Sequence, residues 1–144
     1  GLLNPGLLAT LNADPRIRSF YVEPGTVVNA GDWVAVNLAG TSPFGAGNSC
    51  IGLTIDTTQI LTSAAVGVAL ESAAPVAGGD DVWITVCTRG VALALYTGIT
   101  AAGDRLISGA NPGEAYVGAA GDRIGYALGD TLGAGYQLAY VTCE

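Results

Sequence analysis

The chain has 144 residues, the length of one domain able to build its own core. It is 50% apolar and only 12% charged, with net charge −7, five arginines, and no lysine, histidine or methionine. Lacking histidine and lysine, it has no imidazole base, Ser-His-Asp or Cys-His system, Schiff base or P-loop; its acidity argues against nucleic acid and anionic membranes, and no apolar run nears the ~18 residues of a membrane span.

Low charge leaves little surface that demands water, so part of the surface is expected to be covered by other subunits, in particular by copies of the chain. Residues 1–18 read as a separate N-terminal arm, with 19–144 as one β-rich domain. Asn4-Pro5 suits a helix start, and Asp14-Pro15 a stop. Two uses of this segment stay open: a helix packed on its own domain, or an arm that docks Leu2, Leu3, Leu7 and Leu8 on a neighbour. Arg16 and Arg18 alternate beside Phe20. They form either a contact with an acidic partner surface or a solvated strand start.

The first strand is expected at 19–23, closed by Pro24-Gly25. Asn29-Ala30-Gly31-Asp32 is a turn into a strand at 33–38. Residues 40–48 read as a loop, 50–55 as a strand, and 56–63 as a loop or an edge strand. Val66-Gly67-Val68-Ala69-Leu70-Glu71, the break Pro75 to Asp81, and the run Val82 to Val86 form a strand–turn–strand unit. Segments 82–88 and 91–96 flank Arg89-Gly90 and read as a hairpin. Asn111-Pro112-Gly113-Glu114 is a turn. Ile124-Gly125-Tyr126-Ala127-Leu128-Gly129 repeats the first unit, and the run Tyr136 to Val141 follows it. Ala102-Gly103-Asp104-Arg105-Leu106 echoes Ala30-Gly31-Asp32-Trp33-Val34. Turn signals every 8–12 residues suit an all-β sandwich or barrel.

No catalytic, cofactor or metal residue is marked. Gly79-Asp80-Asp81 has the form of a two-metal hairpin but reads as a turn, without a third carboxylate or bases for phosphate. The Ala-Gly-Asp segments at 30–32, 102–104 and 120–122 lie too far apart for a calcium repeat and read as hairpin starts whose Asp bonds its own backbone. Trp33, Trp83, Tyr96, Tyr116, Tyr126, Tyr136 and Tyr140 read as core or subunit-interface packing rather than a sugar-binding face. Cys50, Cys87 and Cys143, odd in number and widely spaced, read as buried thiols in a reducing compartment; one disulfide with one free thiol is the alternative. No signal-peptide pattern is expected, and Pro5 stands where a myristoylation site needs Ser or Thr.

The Val66–Ala74 strand and bend, the Gly-Gly-Asp-Asp turn and the Ala101–Asp104 segment resemble small decoration (cement) proteins of tailed-phage capsids, over roughly residues 24–142. The resemblance implies an all-β, β-barrel or β-tulip domain without enzymatic activity or cofactor. It would sit on the outer capsid surface of a virion as a homotrimer (or dimer), clamp neighbouring major capsid proteins, and be made in the host cytoplasm. It also gives the arm and its leucines, with Arg16, Arg18 and Phe20, a use in capsid or subunit contact. Segment 40–63 does not align with that pattern. The rivals are a carbohydrate- or receptor-binding β-domain with exposed aromatics on one face, and a small carboxylate enzyme drawing on Glu71, Asp80 and Asp81.

Overall fold

The computed structural model describes residues 15–36, 65–96, 102–109, 111, 113–119, 123–129 and 135–144 in full, and the backbone alone at 41–42, 45–46, 50–52, 97, 99–100 and 131–132. The arm leucines and most of segment 37–64 lie outside the described residues. Thirteen strands and no helix occur among the described residues: β1 (Arg16–Val22), β2 (Trp33–Val36), β3 (Thr41–Ser42), β4 (Gly45–Ala46), β5 (Cys50–Gly52), β6 (Ala65–Ala69), β7 (Val82–Thr97), β8 (Ile99–Thr100), β9 (Arg105–Ser108), β10 (Ala115–Val117), β11 (Gly125–Ala127), β12 (Thr131–Leu132) and β13 (Gly135–Thr142).

The main sheet runs β10-β9-β11-β13-β7-β6-β2-β5, with β1 also on β7. A parallel pairing of β10 with β7, Ala115 opposite Tyr96, closes β7, β13, β11, β9 and β10 into a five-stranded barrel. The all-β barrel expectation therefore holds.

The hairpin expected at Arg89-Gly90 does not form. β7 runs through both residues as one 16-residue strand. Its first half pairs with β1 (Val22 opposite Val82) and β6 (Val68 opposite Cys87), its second with β13 (Tyr140 opposite Val91). Each half finds its partner far away in sequence, so neither needs the other. Gly90 has a positive φ, 118°, but both residues sit in the ladder to β13, Arg89 opposite Thr142 and Gly90 opposite Val141. The β1 register slips beside this point, between Arg16 (opposite Arg89) and Ile17 (opposite Cys87), so that Thr88 is the extra residue of a bulge in β7. β1 likewise starts at Arg16 rather than Ser19, because its first residues face solvent and charge there costs nothing in the core.

The sequence echoes belong to a larger repeat. Trp33 pairs with Val68 and Val34 with Gly67; Arg105 pairs with Tyr126 and Leu106 with Gly125. Val34 faces Gly52 and Val36 faces Cys50, as Leu106 faces Val117 and Ser108 faces Ala115. The Gly31 N–H donates to the Ala69 carbonyl and the Ala69 N–H to the Asp32 carbonyl; Gly103, Ala127 and Asp104 repeat this at 2.7 and 2.8 Å. Leu70 N–H donates to Thr85 as Leu128 does to Leu138. One five-strand plan therefore occurs twice, as β1-β2-β5-β6 with the first half of β7, and as the second half of β7 with β9-β10-β11-β13. The second copy closes into the barrel. In the first, β5 approaches β1 without a ladder among the described residues.

Each copy has its own core at matching positions. Val22, Val34, Ala69 and Val86 fill the first; Tyr96, Leu106, Ala127 and Ala139 fill the second. The second is built mainly of alanines, 92, 94, 115, 127 and 139, and leaves room. Trp33, fully buried, fills it from the first copy: a Cβ on Gly125 would lie 2.9 Å from its ring. Burying such a side chain removes about 150–250 Å² from water, or about 4–6 kcal/mol at ~25 cal/mol per Å² before entropy is counted. Trp33, Ala35, Val68 and Cys87, on the face of the first copy turned away from its own core, thus bind the two lobes together.

Candidate functional site

In the second lobe the positions of Trp33, Val68 and Cys87 are taken by Arg105, Tyr126 and Tyr140. Leu106, Ala127, Ala139 and Val141 point inward as fully buried core residues. Their neighbours Arg105, Tyr126 and Tyr140 therefore stand on the outer face of the barrel, since side chains alternate along a strand. Tyr126 lies opposite both Arg105 and Tyr140. Thr142 lies opposite Arg89, and Arg89 opposite Arg16. Arg123 lies two residues before the start of β11. All five arginines of this acidic chain thus fall on β9, β11, β7 and β1 or at their ends, around one outer face.

Arg89, Arg123, Tyr126, Tyr140, Thr142 and Glu144 line a cleft of about 280 Å³ on this face. The Arg123 guanidinium lies over the Tyr126 ring, 4.8 Å from its centroid, and donates to the Tyr126 hydroxyl. Arg105 donates to the Gly118 carbonyl. At the other rim Glu144 accepts from Arg18 through Nε (3.0 Å) and Nη2, and from the Thr88 hydroxyl; Arg16 Nη1 is 3.6 Å away. These donors hold the Glu144 carboxyl at about 2, well below its ordinary value, first through the Arg18 and Thr88 hydrogen bonds. The same pair raises Arg18. Arg89 and Arg123 have no carboxylate at ion-pair distance among the described residues. The face is therefore a carboxylate-binding arrangement with one internal carboxylate seated and two guanidinium groups unmatched.

Of the expected contact residues, Arg16 and Arg18 stand at this rim, more than half exposed. Phe20 is half-buried and packs on the first core. Leu2, Leu3, Leu7 and Leu8 lie outside the described residues. Arg89, Arg105, Arg123 and Glu144 escaped the sequence reading. Aligning the two echoes would have found one of them, because it sets Arg105 beneath Trp33 and Tyr126 beneath Val68.

The acidic residues singled out in the sequence do not converge on a catalytic or metal arrangement. Glu71 accepts from the Thr85 N–H at 2.7 Å and its hydroxyl at 2.8 Å, closing the edge of β7, and lies below its ordinary pKa for that reason. The Tyr21 hydroxyl reaches Asp81 at 3.5 Å. Among the described residues no group of three potential metal ligands occurs. Asp32 accepts from the Asn29 N–H at 2.9 Å, the expected Asp-to-own-turn bond; the Ala-Gly-Asp segment at 120–122 lies outside the described residues. Asn111–Glu114 is a turn, closed by the Glu114 N–H on the Asn111 carbonyl. Trp33 and Tyr96 are core residues, as one of the two expected uses has it, whereas Trp83, Tyr116 and Tyr136 are exposed on the chain's own surface. Cys87 and Cys143 are free thiols packed in or against the second core, both raised by burial, Cys143 to about 12.

No protein-family model matches the chain, and no curated protein does. A solved structure does. The fold is similar to that of the head fiber gp8.5 N base in bacteriophage phi29, with a TM-score of 0.59 and 14% identity. The match covers 90% of this chain and 97% of that one.

Proposed function

We propose that this chain is a non-enzymatic structural protein of a phage virion. It binds the outer surface of the capsid, as a homotrimer, and stabilises contacts between major capsid proteins. The observation that carries this reading is the fold match, which spans nearly the whole of a phage head fiber base. The chemistry agrees. The chain lacks histidine and lysine, and two of its carboxylates, Asp32 and Glu71, accept hydrogen bonds from a turn and from a strand. Low charge and exposed Ile17, Leu93, Trp83, Tyr116 and Tyr136 suit a protein partly covered by others. Many copies on one lattice let modest contacts act together, each favouring the assembled shell by mass action. The residues ahead of β1 serve in this reading as an arm on the shell or on a neighbouring copy, while Arg16 to Arg18, expected to belong to that arm, are held in β1.

Co-sedimentation with expanded, undecorated shells tests it. Saturable pelleting with the shells is expected, together with later release of packaged DNA on heating. A chain that stays in the supernatant at micromolar concentration sinks the proposal.

A further inference from the structure

We propose that the arginine- and tyrosine-lined face of the second lobe is a docking site for an acidic polypeptide segment, whose carboxylates bind Arg89 and Arg123. Two independent observations point there. The first is the internal repeat. The face carrying Trp33, Val68 and Cys87 in the first lobe is buried against the second lobe. Its counterpart, carrying Arg105, Tyr126 and Tyr140, is half-buried, and Tyr126 and Tyr140 line a cleft. The plan thus uses this face once as an interface, and its second copy borders a cleft with no core packed on it among the described residues.

The second observation is charge. The chain has no lysine, yet all five of its positive side chains gather around this face in a protein of net charge −7. Guanidinium groups take carboxylates in two-pronged hydrogen bonds. Glu144 already shows the mode, held by Arg18, Arg16 and the Thr88 hydroxyl. Across a cleft of about 280 Å³, Arg89 and Arg123 have no such partner among the described residues. Tyr126 and Tyr140 add hydroxyl groups and ring surface. Extended nucleic acid fits poorly, because its closely spaced phosphates would meet Glu144, which lines the same cleft, and a molecule of net charge −7. A polypeptide places carboxylates on separate side chains and can pass Glu144.

The inference does not depend on shell binding, and its test reads this face alone. The probe is a fluorescein-labelled oligo-glutamate peptide, followed by anisotropy at low salt. Binding should weaken about tenfold in Arg89→Gln and again in Arg123→Gln, the range for a charge-assisted hydrogen bond lost at a partly exposed site. Arg123→Lys should fall between, since it keeps the charge and loses the fork. Glu144→Gln should bind several-fold tighter, because it removes the competing carboxylate and releases Arg18. Glu71→Gln, distant from the face, should bind as the parent does. Circular dichroism confirms that each variant is folded. Equal binding by all variants, or weaker binding by Glu144→Gln, overturns the proposal. So does equal affinity for inorganic phosphate or an oligo-uronate, which would make the site one for any anion or for an acidic glycan. Arginine variants that lose self-association by light scattering, without change in peptide binding, would assign the face to a second copy instead.

Discussion

Gly67 is the point where the two-lobed plan is most exposed to test. It sits in β6 with φ +148°, a backbone state that L side chains rarely adopt, and a Cβ there would fall on the Cys87 carbonyl group, 2.7 Å from its carbon. Gly67→Ala combines two costs. A residue forced into such a backbone region costs about 1–3 kcal/mol. Forcing extra volume into a packed site costs about another 1–3 kcal/mol. The total, about 2–6 kcal/mol, is a large part of the 5–15 kcal/mol that holds a typical domain. Three other glycines separate the contributions. Gly78 has φ +81° with nothing within 4 Å, and isolates the backbone cost. Gly125, the repeat partner of Gly67, has no positive φ, but a Cβ would lie 2.6 Å from the Tyr140 carbonyl oxygen and 2.9 Å from the Trp33 ring. Gly135 has neither problem, and its alanine variant should sit within about 0.5 kcal/mol of the parent. Urea unfolding measures the series. At a slope of about 2 kcal/mol per molar, Gly67→Ala should lower the midpoint by roughly 1–3 M. If it is no less stable than Gly78→Ala, the close approach of β6 to β7 is wrong, and with it the shared register of the two lobes.

Asp32, buried and raised by that burial, should tolerate Asn well. Asp32→Asn keeps the acceptor for Asn29 and should be at least as stable at neutral pH, whereas Asp32→Ala should lose about 1–3 kcal/mol from the unpaired N–H, by chemical denaturation. Because its pKa is raised, the folded chain holds the Asp32 proton to higher pH than the unfolded chain does, so this group favours folding more as pH falls, and Asp32→Asn should remove that component. Glu144 acts in the opposite sense: its lowered pKa gives a contribution present above about 4.5 and lost as pH falls toward about 2, a slope that Glu144→Gln should flatten and salt should weaken. In a Cys50→Ser background, Cys87 and Cys143 should react slowly with an aromatic disulfide reagent at neutral pH and quickly once unfolded; rapid labelling of the folded chain would contradict their place in the second core.

The local grammar of the fold was legible in the sequence. The Ala-Gly-Asp turns at 30 and 102 dock on Ala69 and Ala127 by the same pair of backbone hydrogen bonds, and their echo in sequence is the trace of that shared geometry. The full repeat was hidden, because its remaining strands share position without sharing residues. Phe20 corresponds to Ala94 and Val22 to Tyr96, a change in volume that Trp33 makes tolerable by filling the alanine-rich lobe from outside. Arg89-Gly90 carries turn chemistry, yet two distant strands claim its flanks, and tertiary pairing overrides the local signal. Arg16 and Arg18 could be picked out by their spacing. Their meeting with Glu144, Arg89 and Arg123 depends on register over more than a hundred residues, which no local pattern encodes.

In the function proposed above, the chain stands on the outside of a phage shell. A low-resolution electron microscopy map of virions, compared with particles lacking this chain, tests it most directly. The account requires difference density on the outer capsid surface, bridging neighbouring major capsid proteins, with a volume matching a small number of 14.3 kDa copies at each position. Density confined to the tail or the inner wall, or two maps that do not differ, would contradict it.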